Sequence, residues 1–231
     1  MKSFKVENEH LTRQKDLIPM ESLAVPITVI GAGAVGGWVV LSLAKMGFQD
    51  ITVYDHDHVS IENMNCQFYP YSAIDKSKVE TLHGLVQSFA NVNIKAINGK
   101  YEGKESFEGI IISAVDSMDA RKMIWESQKK KGKKKPKVPK YIIDPRMGAE
   151  TSLLYVMDAN DAKDITSYEK TLYTDANAVA ERCTAKATIY TANLLAGQVC
   201  KAVKDIATGN AYTRTSQWDI AKNQVMMWNK K

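Results

Sequence analysis

The chemistry legible in this chain begins with three glycines and two aspartates. Gly31, Gly33 and Gly36 lie in GAGAVGG, directly after the apolar run ITVI. At such spacing the first glycine permits a tight turn and the second lets backbone N–H groups approach a phosphate. The third lets the following helix pack closely on the strand, and that helix's N-terminal end attracts an anion. Asp55 closes the run ITVYD nineteen residues after Gly36, the offset at which an acid meets ribose hydroxyls. Asn63 has an amide suited to a phosphate or ribose, or to an Asx turn in its own loop. Asp116 follows the apolar run GIIISAV, and ligands gather at the carboxyl ends of strands in open α/β sheets. A carboxylate there suits magnesium, and it also suits the N-cap of a following helix. Cys183 stands between a polar stretch and a long apolar-periodic one. A helix N-terminus, with Arg182 adjacent, favours the thiolate; a small packed residue is the plainer role.

The elements that must position these groups can be read from periodicity. Ile27–Ile30 is expected to be a buried parallel strand and Gly36–Met46 a helix ended by Gly47. Lys76–Asn91 carries Val79, Leu82, Leu85, Val86 and Phe89 at helical spacing. Further strands are expected at 51–55, 92–97, 109–115, 138–144 and 151–157, with helices at 117–131 and 185–206 and a hairpin of 215–220 with 224–228. The first 22 residues predict a short helix around His10–Ile18 and a connection. The stretch 158–182 is polar and weakly periodic, and predicts a crossover segment. The sum is an α/β chain of the Rossmann-like kind: a single domain over 1–231, with a mostly parallel sheet, helices on both faces and a C-terminal antiparallel extension.

The loop after Asp55 and the AVDSMDAR segment resemble the ThiF/MoeB/HesA family, adenylating relatives of ubiquitin-activating enzymes. The resemblance rests on Asp57, Asn63, Gln67 and Lys78 together with Asp116 and Arg121, and runs from about Arg13 to the end of the chain. It implies ATP with Mg²⁺, and activation of the C-terminal carboxylate of a small ubiquitin-like or sulfur-carrier protein ending in Gly-Gly. It implies that Lys78 contacts phosphate, and that Arg13, in an Arg13-Gln14 pair, reaches the ATP phosphates of the other protomer of a homodimer. It also places Cys183 where family members hold a thiol that accepts an acyl group or sulfur. Arg121 resembles the arginine that often follows the family's aspartate, and would equally serve as a salt bridge holding its helix.

One position departs from the family pattern. Relatives carry arginine in an NxxRQ motif where this chain reads Asn63-Met-Asn-Cys66-Gln67. The attack of a carboxylate on the α-phosphate develops negative charge that cations must meet, so one neutralising group is missing. Lys76 and Arg121 are the substitutes in the sequence.

Composition narrows the classes. At 231 residues and 45% hydrophobic, the chain can bury one substantial core. No apolar run reaches the ~20 residues of a membrane span, and the charged N-terminal stretch lacks the apolar core of a signal peptide, so a soluble, cytoplasmic protein is expected. Three cysteines without a CxxC pair encode neither a disulfide framework nor a four-thiolate zinc site, and the alternating His56 and His58 find no second ligand pair. No zinc is expected. Cys200 lies among Leu195, Val199 and Val203 and predicts a buried core thiol. The formal charge of +5 becomes −3 once the eight lysines of 129–140 are removed. The basicity is therefore one loop without interleaved aromatics, and no nucleic-acid platform is expected.

Adenylation leads among the functions. A nicotinamide-dependent oxidoreductase fits the glycine loop and Asp55 equally well but lacks an evident hydride-transfer acid. A non-catalytic nucleotide-binding subunit of the same family is the third reading, motivated by Cys66.

Overall fold

The computed structural model describes residues 9–129, 141–173 and 187–230. Its centre is one eight-stranded sheet in the order β3-β2-β1-β4-β5-β6-β7-β8. The strands are β1 (Ile27–Ile30), β2 (Ile51–Asp55), β3 (Lys95–Asn98), β4 (Ile110–Ser113), β5 (Tyr141–Met147), β6 (Thr151–Asp158), β7 (Thr213–Asp219) and β8 (Gln224–Lys230). The pairs from β3 through β5 are parallel, and β6, β7 and β8 join antiparallel. The helices are α1 (Ala34–Lys45), α2 (Lys78–Ala90), α3 (Met118–Gln128), α4 (Ala162–Glu169) and α5 (Ile189–Ala207).

Burial follows from the runs that predicted it. β1 and β4 are buried at every residue, as strands covered on both faces must be. Val29, Val53, Ile110 and Ile112 join Val39, Val40, Leu43, Val79, Leu82, Leu195 and Val199 from α1, α2 and α5 in the larger core cluster. Ile30, Ile111, Ile142 and Met157 meet Ile124, Trp125 and Tyr168 from α3 and α4 in a second cluster. Burying a Leu or Ile is worth roughly 1.5–3 kcal/mol, so these two layers supply the main drive to fold. No helix among the described residues is long and apolar enough to cross a membrane.

Several expectations are corrected. In place of the short helix expected around His10–Ile18 there is a 3-10 turn at Glu9–Leu11, and a second, unforeseen 3-10 helix spans Met20–Ala24. The crossover stretch holds α4, whose N-cap is Asp161, with its side chain accepting from Lys163 N and Asp164 N. β5 runs on through Pro145, three residues past the expected end. Proline breaks a ladder only where its N–H is required, and β5 pairs with β4 no further than Ile112↔Ile143. The lysine-rich loop beyond Lys129, and Cys183 with most of the second half of the crossover, lie outside the described residues.

Candidate active site

The glycine loop joins β1 to α1. Gly31 adopts φ +101°, and a Cβ there would come within 2.3 Å of the Ala114 carbonyl oxygen. A Cβ on Gly36 would stand 1.9 Å from the Gly31 carbonyl oxygen, so neither position admits a side chain without backbone movement. Gly33 differs: an added Cβ there meets only Gln67 Nε2, at 4.0 Å. It is also the N-cap of α1 and offers no side-chain cap, leaving the first N–H groups of the helix for an anion.

Asp55 ties the end of β2 to this loop. Its Oδ2 accepts from Ala32 N at 2.6 Å and its Oδ1 from Asp57 N at 2.8 Å. A carboxylate has about four lone-pair sites, so two remain for ribose hydroxyls. Tyr69 braces the same turn from below, its hydroxyl donating to Ala32 O at 2.7 Å. Burial, with Asp55 adding to it, pushes the Tyr69 hydroxyl far above its ordinary pKa, so it stays a neutral donor.

Lys78 opens α2 and faces inward. It is buried at 5% exposure in the first turn of α2, and its Nζ pairs with Asp57 Oδ2 at 2.9 Å. Burial alone would raise the Asp57 pKa, but the hydrogen bond and charge of Lys78 outweigh it and hold the carboxyl below its usual value. Asp57 is therefore ionised at neutral pH. Its contribution is present above the ordinary aspartate range and is lost as pH falls through the lowered value.

Asn63 makes a local bond, its Nδ2 donating to Ser60 Oγ at 2.7 Å, and its carbonyl accepts from Cys66 N and Gln67 N. Gln67 is buried at 7%, and its Oε1 finds no partner among the described residues. A buried amide oxygen without a donor, beside the open Gly33, marks a place where a ligand or water completes the bonding. Cys66 is also buried. Burial raises its thiol pKa and the Lys78 charge pulls the other way.

Asp116 lies just past the end of β4, two residues from the Ala114 carbonyl pressed against Gly31. It is exposed, with no hydrogen bond or ion pair to a described residue. The helix cap it was weighed for belongs to Ser117, whose side chain accepts from Ala120 N. The structure thus brings Gly31, Gly33, Gly36, Asp55, Asp57, Lys78, Gln67 and Asp116 to the carboxyl ends of β1, β2 and β4.

Of the cations weighed for the site, Arg121 is engaged elsewhere and Arg13 lies away from the glycine loop of its own chain. Arg121 is buried and turned to Asp144, with Nε to Oδ1 at 2.9 Å and a further bond to Pro145 O, so it is no substitute at Cys66. Arg13 is exposed, and its neighbour Gln14 donates to Met46 O at 2.5 Å, at the far end of α1 from the glycine loop. Twelve residues of helix at 1.5 Å each put that end roughly 18 Å away. Lys76 remains exposed and without a described partner, beside a hollow of about 450 Å³ lined by His58, Asp75, Ser77, Glu80, Thr81 and Asn98.

Asp55, His56 and Asp57 place one ligand atom each within 4.8 Å of one another, with the carboxylates also bonded to backbone N–H groups and to Lys78. Sequence reasoning missed Tyr69 and Asp144. The latter had one signal, the charged DPR run at the end of an apolar strand.

Cys200 is the core thiol its neighbours predicted, its pKa pushed up to about 12 by burial. In the native protein at pH 8, iodoacetamide is expected to leave Cys66 and Cys200 unmodified, and to label both after denaturation, as read by mass spectrometry. Native labelling of Cys200 at the rate of a free thiol would contradict the packing described.

A parallel nucleotide cradle extended by three antiparallel strands, with a lysine and a strand-end acid beside the glycine loop, defines an E1-like adenylation fold. The chain belongs to the ThiF family, whose model matches residues 20–231. It is 38% identical over 104 residues to the NEDD8-activating enzyme E1 catalytic subunit of Caenorhabditis elegans, a match spanning 42% of this chain and 24% of that one. It is 42% identical over 57 residues to the tRNA threonylcarbamoyladenosine dehydratase of Haemophilus influenzae, covering 24% of this chain and 22% of that one. The fold is similar to that of E. coli MccB in its structure with ATP, with TM-score 0.69, 13% identity, and coverage of 96% of this chain and 71% of the other. The chain spans about a quarter of the length of the curated relatives it matches.

Proposed function

We propose that this chain adenylates the C-terminal carboxylate of a small ubiquitin-like or sulfur-carrier protein at the expense of ATP. The observation that carries the proposal is the meeting of β4's carboxyl end with the glycine loop: Ala114, two residues before Asp116, packs against Gly31 and Gly36, and Gly33 leaves the N-terminus of α1 open. In this reading the loop cradles the phosphates, Asp55 holds the ribose, Gln67 and Asn63 add hydrogen bonds, and Lys78 neutralises charge opposite Asp57. The open space at Gly33 and the unpartnered Gln67 oxygen fit a nucleotide. Asp116 is the ligand for Mg²⁺, a hard cation that would offset charge on the phosphates as pyrophosphate leaves. Arg13 lies too far from its own loop, which supports a homodimer in which it serves the partner's site. Cys183 is proposed to take the activated acyl group: its thiolate attacks the acyl-adenylate carbonyl, the bond to the phosphate oxygen breaks, and a thioester forms as AMP leaves.

The protein-activating relative favours a protein carboxylate as substrate, whereas the dehydratase is named for a tRNA; the C-terminal carboxylate is the choice tested. The second reading is a non-catalytic subunit that holds nucleotide for an active partner. It is favoured by one observation: the buried cation at the loop, Lys78, is already paired with Asp57, while Cys66 stands in the place of an arginine.

The deciding experiment is ATP–pyrophosphate exchange with candidate carrier proteins, alongside thermal shifts with ATP and Mg²⁺ or with NAD. Carrier-dependent exchange is expected. Stabilisation by NAD and none by ATP with Mg²⁺ would sink adenylation and restore the oxidoreductase; ATP binding with a bound carrier and no exchange would favour the subunit. Lys78→Met is expected to weaken ATP about 10- to 100-fold, the size of one lost charge-assisted bond of roughly 1.5–3 kcal/mol, by calorimetric titration. Unchanged affinity would remove Lys78 from the phosphate site.

A further inference from the structure

Asp144 is fully buried and accepts from three donors: Arg121 Nε at 2.9 Å, Arg146 Nε at 2.8 Å and the Tyr168 hydroxyl at 2.9 Å. Arg121 rises from α3, five residues after Asp116. Arg146, on β5, has every edge of its guanidinium engaged. Beyond Asp144, its Nη1 donates to Thr171 O at 3.0 Å and its Nη2 to Thr171 Oγ1 at 3.0 Å. Its face lies over the Tyr155 ring, 4.6 Å from the centroid, and 5.8 Å from that of Tyr168.

Thr171 is where the chain leaves α4, two residues past Glu169. One carboxylate therefore holds the helix that follows Asp116 through Arg121, and the exit of α4 through Arg146. Only a planar fork can bond a carboxylate, a carbonyl and a hydroxyl at once while stacking on a ring; an ammonium cannot. A link made only for stability would not need Thr171, since Arg121 already partners the buried charge. We propose that Arg146 is a positioning residue, holding the exit of α4 in fixed register with the Asp116 end of β4 so that the substrate carboxylate meets the nucleotide in line. The kinetic part of this inference rests on the adenylation reading.

The test uses the full chain carrying Arg146→Gln, Arg146→Lys or Thr171→Val. Amide hydrogen exchange of Tyr168–Tyr173 is expected to accelerate about tenfold in Arg146→Gln with Gly31–Lys45 unchanged, and about threefold in Thr171→Val. Pyrophosphate exchange should lose about tenfold in kcat with KM for ATP within about twofold, Arg146→Lys lying between. Unchanged exchange at Tyr168–Tyr173 overturns the proposal. So does loosening that spreads to Gly31–Lys45 with a rising KM for ATP, which would mark a general loss of stability. Should Arg146→Gln not fold, Arg146→Lys and Thr171→Val carry the same two criteria. A wild type without pyrophosphate exchange strikes the adenylation reading alone, and the hydrogen-exchange arm then decides the positioning role.

Discussion

Asp116→Asn is expected to lower pyrophosphate exchange by about 10²–10³-fold while leaving the fold and nucleotide binding in place, the loss typical of removing one group that meets transition-state charge. The structural grounds for sparing the fold are direct. Asp116 is exposed and makes no bond to a described residue, so its amide isostere removes no internal contact, and surface changes of this kind fall within about 0.5 kcal/mol. What the substitution removes is the negative charge at the end of β4, beside the glycine loop. The variant should also need more Mg²⁺ for half-maximal exchange, because a carbonyl oxygen holds a hard dication less well than a carboxylate. Cys183→Ala provides the contrast: exchange should persist while any thioester disappears. Exchange in Asp116→Asn equal to wild type would refute the metal assignment.

Asp144→Ala carries the largest expected effect on stability. Its carboxylate is the shared acceptor of Arg121, Arg146 and Tyr168, and all three donors would be left facing a cavity. Breaking a buried pair by removing one partner costs roughly 3–5 kcal/mol, because the remaining charge stays buried and uncompensated. For a chain of this size that corresponds to a fall in Tm of about 6–20 °C, at roughly 2–4 °C per kcal/mol. Asp144→Asn keeps the volume and one acceptor and should lose less. Urea titration with an unchanged slope checks the prediction, and a loss below about 1 kcal/mol in Asp144→Ala would show that the guanidiniums find other acceptors.

The two variants probe groups that differ in how far they could be read from residue order. Asp116 was visible as an acid at the end of an apolar strand, because a buried parallel strand and its carboxyl end are local patterns. The glycine loop, Asp55 and the α1 and α2 helices were legible for the same reason: turn chemistry and periodicity act over a few residues. Helix α4 was not. It is eight residues long, too short to be stable alone, and it is held by distant partners: Asp164 by Arg214, Tyr168 by Asp144, and Glu169 by Trp125 and Lys129. The extension of β5 through Pro145 was equally illegible, because only the extent of the β4 pairing, which stops at Ile112↔Ile143, shows where the strand can spare an N–H.

The sequence by itself determined the Rossmann-like plan, the phosphate loop with its spaced Asp55, the membership that Asp57, Asn63, Gln67 and Lys78 announce, and the vacancy of charge at Cys66. Only the tertiary structure decided which cations are held in internal pairs, Lys78 with Asp57 and Arg121 with Asp144. Arg121 and Lys78 are each compatible, in one dimension, with a phosphate contact or a structural pair, because a charged side chain carries no record of its partner. Packing β5 beside β4 placed the buried Asp144 against Arg121 and withdrew that arginine from the site. Folding the β2–α2 loop back placed Asp57 against Lys78 and kept that lysine at the edge of the cradle.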